Sequence, residues 1–168
     1  MNVIDDHSRL LIASDALVIF KAADVVASFH RGAAAHGFCA SLLTDNGAVF
    51  NAAPRGGRCA IELECARLGI GVVHSRPYHP QTCGKERFHQ TLKRFLAKQE
   101  PAANMSDLQP QLDRFRSYYN TVRPHRRSGG APLLRRTRRG PKRHRRWRVS
   151  RCRVGSGCAA TRSTSPGW

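Results

Sequence analysis

Acidic residues are scarce in this chain: 11 Asp and Glu stand against 29 Lys and Arg, for a formal net charge of +18 over 168 residues. From residue 126 to residue 168 there are none, while fourteen of the 29 basic residues lie there. Residues 1 to 125 are therefore only mildly basic, at +4. A long apolar run is missing as well. Leu10 to Phe20 is broken by Ser14 and Asp15 and falls short of the ~20 residues that span a bilayer. The Met-Asn-Val-Ile-Asp-Asp start has neither a basic n-region nor an apolar h-region, so no signal peptide is read and the cytoplasm is the expected compartment. Cys39, Cys59, Cys65, Cys83, Cys152 and Cys158 form no CxxC pair and no Cys/His cluster at zinc spacing. They read as buried or incidental thiols in a reducing environment. No internal repeat is found.

What is present divides the chain in two. Val3-Ile4 and Leu10 to Ala13 read as strands joined by the turn Asp5-Asp6-His7-Ser8-Arg9. Ala22, Val25, Val26, Phe29 and Ala33 recur at helical spacing between Lys21 and Gly37. Cys39 to Thr44 is a short apolar run ending at Asp45-Asn46-Gly47, a buried strand opening into a turn. Helical periodicity returns over Arg58 to Leu68, and Ile70 to His74 reads as a second buried strand. Lys85 to Lys98 is an amphipathic helix with Phe88, Leu92, Phe95 and Leu96 on one face. A last helix is expected from Ser106, with a capping box to Gln109, burying Leu108, Leu112, Phe115 and Tyr119. Strands alternating with helices give an α/β domain over residues 1–125. Residues 126–168, rich in Arg and without apolar periodicity, are expected to be a disordered basic tail.

Two carboxylates occupy positions suited to chemistry on a polyanion. Asp45 ends an apolar strand, and Glu86 begins a helix after the rigid Pro-Tyr-His-Pro-Gln-Thr loop. Cutting or joining a phosphodiester needs charge neutralisation at the attacking and leaving oxygens, which two Mg²⁺ or Mn²⁺ ions held by acidic side chains supply. Each acid has an ordinary alternative: Asp-Asn-Gly is a common turn, and Glu86 fits a first-turn acid placed for the helix dipole. His79, Gln81 and Lys85 stand near the acids, and Arg87, Lys93 and Arg94 form a candidate phosphate-tracking face on the helix. A merely solvated face is the alternative for any one of them.

The blocks Val3-Ile-Asp-Asp-His-Ser-Arg9, Thr44-Asp-Asn-Gly47, Arg76-Pro-Tyr-His-Pro-Gln-Thr-Cys-Gly-Lys-Glu-Arg-Phe-His89 and Tyr119-Asn-Thr-Val-Arg-Pro-His125 occur in that order. Together they resemble the integrase catalytic core of DDE transposases of the insertion-sequence and retroviral-integrase type. The resemblance implies a ribonuclease-H-like α/β fold, a five-stranded mixed sheet flanked by helices. It also implies metal-dependent DNA strand cleavage and transfer in DNA integration and transposition, with Mg²⁺ or Mn²⁺ as cofactor. The implied partners are DNA at transposon ends and target, and a homo-oligomer. By the same resemblance Asp45 and Glu86 are the second and third acids of the catalytic triad and its metal ligands.

Three departures set the expectations for this chain. Family members carry the first catalytic Asp on a strand upstream of the block matching Val3 to Arg9, and that strand, central in the sheet, is absent here. Asp5 and Asp6 match the turn and are not the missing acid. The residue that the family usually places between the equivalents of Lys85 and Glu86 is absent too. After His125 the sequence turns into the acid-free Arg-rich stretch, as an out-of-frame reading of GC-rich DNA would produce. The expectation is a truncated core, incomplete at its central strand and inactive or partial as an enzyme. The alternative is a non-catalytic basic nucleic-acid-binding protein.

Overall fold

The computed structural model describes residues 1–75, 86–125 and 132–133, and the backbone of residues 152–155. Strands β1 (Asn2–Asp5) and β2 (Leu11–Ser14) form an antiparallel hairpin. Its turn is built by Asp5, whose carboxylate accepts hydrogen bonds from the Ser8 amide at 2.8 Å, the His7 amide at 3.3 Å and the Ser8 hydroxyl. Arg9 takes a left-handed conformation, φ 67°, and its guanidinium lies 3.0 Å from Asp6. Val3 pairs with Ala13 but Ile4 pairs with Leu11, so Ile12 is an extra residue in β2. This bulge breaks the usual alternation and puts two adjacent residues of β2 on one face: Ile12 and Ala13 both join one cluster, Leu11 the other.

Helices cover both faces of the sheet. Helices α1 (Ala22–His36) and α2 (Ala60–Arg67) bring Val25, Phe29, Ile61 and Cys65 against Val3, Ile12, Ala13 and Leu42. The approach of α1 is close: a Cβ on Gly32 would come within 2.8 Å of Ile12 Cγ2. On the opposite face, α3 (Glu86–Leu96) and α4 (Met105–Thr121) bring Phe88, Leu92, Leu112, Phe115 and Tyr119 against Ile4 and Leu11. Phe88 meets Phe115 and Tyr119 edge-on, with ring centroids 5.8 and 5.4 Å apart, a favoured arrangement for buried aromatic pairs.

Helix α4 begins one residue earlier than the sequence suggests, and its cap differs. Asn104 is the N-cap, its side chain accepting from the Asp107 amide at 2.9 Å. Ser106 is therefore inside the helix and Gln109 is not part of a capping box. Gln109 instead turns to β2, donating to the Ser14 carbonyl at 3.1 Å and accepting from the Ala16 amide at 2.8 Å. The sequence reading missed the competition between Asn104 and Ser106, both of them good capping residues.

Strands β3 (Ser41–Thr44) and β4 (Gly71–His74) are parallel neighbours, and the sheet order is β2-β1-β5-β3-β4. Strand β5 is Cys152–Gly155, antiparallel to β1 and parallel to β3. The slot expected to stand open between β1 and β3 is thus filled from within the tail, and these four residues depart from the expectation of disorder. The physical reason is the hydrogen-bonding demand of the flanking strands. Val3, Ile4, Leu42 and Leu43 are all buried, and buried backbone groups are almost always paired. Cys-Arg-Val-Gly has one β-branched residue, so no propensity signal marks it; tertiary context overrides propensity here. Among the described residues no helix is long and apolar enough to cross a membrane.

Candidate active site

The carboxyl end of β3 is the centre of the candidate site. Asp45 follows the last residue of β3, is half-buried, and accepts a hydrogen bond from the Gly47 amide at 3.0 Å through Oδ1. That bond closes the Asp-Asn-Gly turn. Strand β4 runs alongside, and its end is tied to the same turn: the Ser75 amide donates to the Thr44 carbonyl at 2.9 Å, and Asn46 Nδ2 donates to the Ser75 carbonyl at 2.7 Å. Crevices at the carboxyl ends of parallel strands are where α/β sheets hold ligands.

A chain of side chains stands behind this turn. Thr44, fully buried, shares a hydrogen bond with His74 Nδ1 at 2.7 Å. His74 Nε2 lies 2.9 Å from Glu62 Oε1, and Glu62 Oε2 accepts from the Cys59 amide at 2.7 Å. Glu62 thus caps the start of α2 and holds His74 at once. Burial alone would raise the Glu62 carboxyl, but the hydrogen bonds from Cys59 and His74 outweigh it and hold the group below its ordinary value. Arg58, Glu62, Ala66, Ile70, Val72 and His74 line an open cleft of ≈ 230 Å³ beside this chain. Sequence reasoning missed Glu62 and His74 as parts of the site. The available signal was the spacing of Glu62 three residues after Cys59, masked because Cys is an unusual N-cap.

Glu86 is the first residue of α3 and is exposed, as are Arg87, Lys93 and Arg94. All four lie on the side of α3 away from the buried Phe88 and Leu92. His79, Gln81 and Lys85 lie outside the described residues. Asp5 and Asp6 belong to the other end of the sheet: Asp5 pairs with Cys152, which pairs with Leu42, three residues before Asp45.

The donor chemistry and its limits follow from this layout. Asp45 and Glu86 offer carboxylate oxygens, the donor type that Mg²⁺ and Mn²⁺ take, since such ions keep several waters beside one or two carboxylates. Among the described residues no three His, Cys, Asp or Glu side chains gather in a metal-holding group. Strand β5, between β1 and β3, has the sequence Cys-Arg-Val-Gly and offers no acid.

Residues 68–132 match the integrase core domain family. That stretch contains Glu86 and α3 and begins after Asp45. The fold is similar to the catalytic core domain of BIV integrase, with a TM-score of 0.57 at 27% sequence identity, over 80% of this chain and 81% of that one.

Proposed function

We propose that this chain, similar in fold to an integrase core and matched to that family over residues 68–132, is a DNA-binding protein of the transposase and integrase type, descended from enzymes of DNA integration and transposition. The observation that carries the reading is Asp45 at the carboxyl end of β3 in a fold shared with a retroviral integrase core. Asp45 and Glu86 are its two site acids, holding one Mg²⁺ or Mn²⁺ when bound, which would neutralise phosphate charge. His79, Gln81, Lys85, Arg87, Lys93 and Arg94 contact the DNA backbone. Residues 1–125 act as the core and the basic residues of 126–168 as a cationic arm.

The test pairs binding with cleavage. Wild-type protein is expected to retain duplex DNA in a gel-shift assay, with affinity falling steeply as salt rises. Slow nicking in Mn²⁺, if measured, must disappear in Asp45→Asn and Glu86→Gln while DNA binding persists. Nicking that survives both changes would overturn the assignment of the acids. The second reading, a purely non-catalytic nucleic-acid binder, is favoured by the tail's fourteen basic and no acidic residues. It requires DNA affinity to collapse when residues 126–168 are removed, and requires Asp45→Asn and Glu86→Gln to be silent in Mn²⁺ binding.

A further inference from the structure

We infer that His74, held by Glu62, is a positioning residue that fixes Asp45 for ion binding by locking the end of β3. The inference rests on the reading of Asp45 as a site acid. Thr44 and His74 are register partners in the parallel pair β3/β4, so their side chains emerge side by side on the face covered by α2. The Thr44 hydroxyl has no access to water, its residue being 0% exposed, and it finds its hydrogen bond at His74 Nδ1. The imidazole in turn is fixed in its ring plane by Glu62 at Nε2, and Glu62 is fixed by the Cys59 amide.

The chain therefore runs from the start of α2 through β4 to the last residue of β3. The next residue is Asp45. Its other neighbour, Asn46, is tied to the Ser75 carbonyl, and Ser75 follows His74 directly. The Thr44 carbonyl before Asp45 and the Asn46 side chain after it are thus both anchored to Ser75 at the end of β4, which narrows the directions the Asp45 carboxylate takes. Partners that orient a metal-binding carboxylate or imidazole from behind are worth ~10- to 100-fold in ion affinity. None of these groups is a candidate ligand itself. Their effect on an ion passes through Asp45.

The experiment measures Mn²⁺ affinity by the loss of the free-ion electron paramagnetic resonance signal, together with amide hydrogen exchange. The full chain is compared with Asp45→Asn, His74→Ala, His74→Asn, Glu62→Gln and Thr44→Val. His74→Ala is expected to weaken Mn²⁺ binding by ~10-fold or more and to speed exchange at Gly47 and Ser75 while leaving the Val3 and Ile4 amides protected. His74→Asn, which returns a hydrogen-bonding group to the Nδ1 position, is expected to recover most of both losses. Equal melting losses in the two His74 variants, with unchanged Mn²⁺ affinity and unchanged exchange at Gly47 and Ser75, would overturn the positioning role. If Asp45→Asn leaves Mn²⁺ affinity unchanged, the ion-site reading fails. The positioning of the turn then stands or falls on the exchange rates alone.

Discussion

Asn120 makes two hydrogen bonds to one residue of the sheet: its Oδ1 accepts from the Leu11 amide at 2.9 Å, and its Nδ2 donates to the Leu11 carbonyl at 3.0 Å. A side-chain amide here takes the place of a neighbouring strand. Gln109 does the same further along, at Ser14 and Ala16. The spacings agree: eleven residues of helix rise ~16 Å, and the five steps from Leu11 to Ala16 cover about the same length in an extended chain. Helix α4 is thus registered against β2 at two points, and Asn120 is 8% exposed. Asn120→Ala leaves a buried donor and a buried acceptor without partners, at about 1–3 kcal/mol for each unsatisfied group. Urea denaturation should show a loss of about 2–6 kcal/mol, and a loss below about 0.5 kcal/mol would mean that Leu11 finds other partners.

The cap of α4 gives a sharper comparison. Asn104→Ala removes the hydrogen bond to the Asp107 amide and is expected to cost about 1 kcal/mol. Ser106→Ala, in the first turn and exposed, should be close to neutral. Paired melting curves of the two variants check this, and the reverse order would restore the cap to Ser106.

Strand β5 is tested by proline. Val154 pairs with Val3 on one side and Thr44 on the other. Proline cannot donate to a ladder and is not tolerated in a central strand. Val154→Pro is expected to cost about 3 kcal/mol or more and to expose the Val3, Ile4 and Leu43 amides to exchange. Unaltered protection at those amides would remove β5 from the sheet.

Acid should destabilise the domain through Glu64. Its hydrogen bond to Arg67, assisted by His30, lowers the carboxyl from 4.5 to about 2. A carboxyl depressed in the folded state contributes stability above its unfolded value and loses it as pH falls towards its folded value. The window is therefore from 4.5 down to about 2. Glu64→Gln is expected to flatten the fall in urea midpoint between about pH 5 and about pH 3. An unchanged slope would show that other carboxyls govern acid unfolding. His125, lowered chiefly by burial, works in the same sense just below the ordinary histidine range.

Much of this was legible in the chain itself, for identifiable reasons. The strand ending at Thr44 and the helix opening at Glu86 were readable because apolar runs and amphipathic periodicity report burial directly. The helix over Ala22–His36 was readable in the same way. The hydrogen bonds that organise the site were not, because they join residues distant in sequence: Thr44 to His74 across 30 positions, Asn120 to Leu11 across 109. Strand β5 was hidden by its composition, since Cys-Arg-Val-Gly in an Arg-rich tail carries no period of two. Glu62 was hidden by its partner, a cysteine where serine or aspartate would have announced a cap.

The two clamps from α4 give the sheet an asymmetry between its two borders. One border, at β2, is already occupied by amide groups of Asn120 and Gln109, so an incoming strand finds few vacant partners there. The other border is β4, whose Val73 is 47% exposed. An edge whose backbone groups are already engaged by side-chain amides offers no template to a stray strand, so α4 shields the β2 border of the sheet from edge-to-edge pairing.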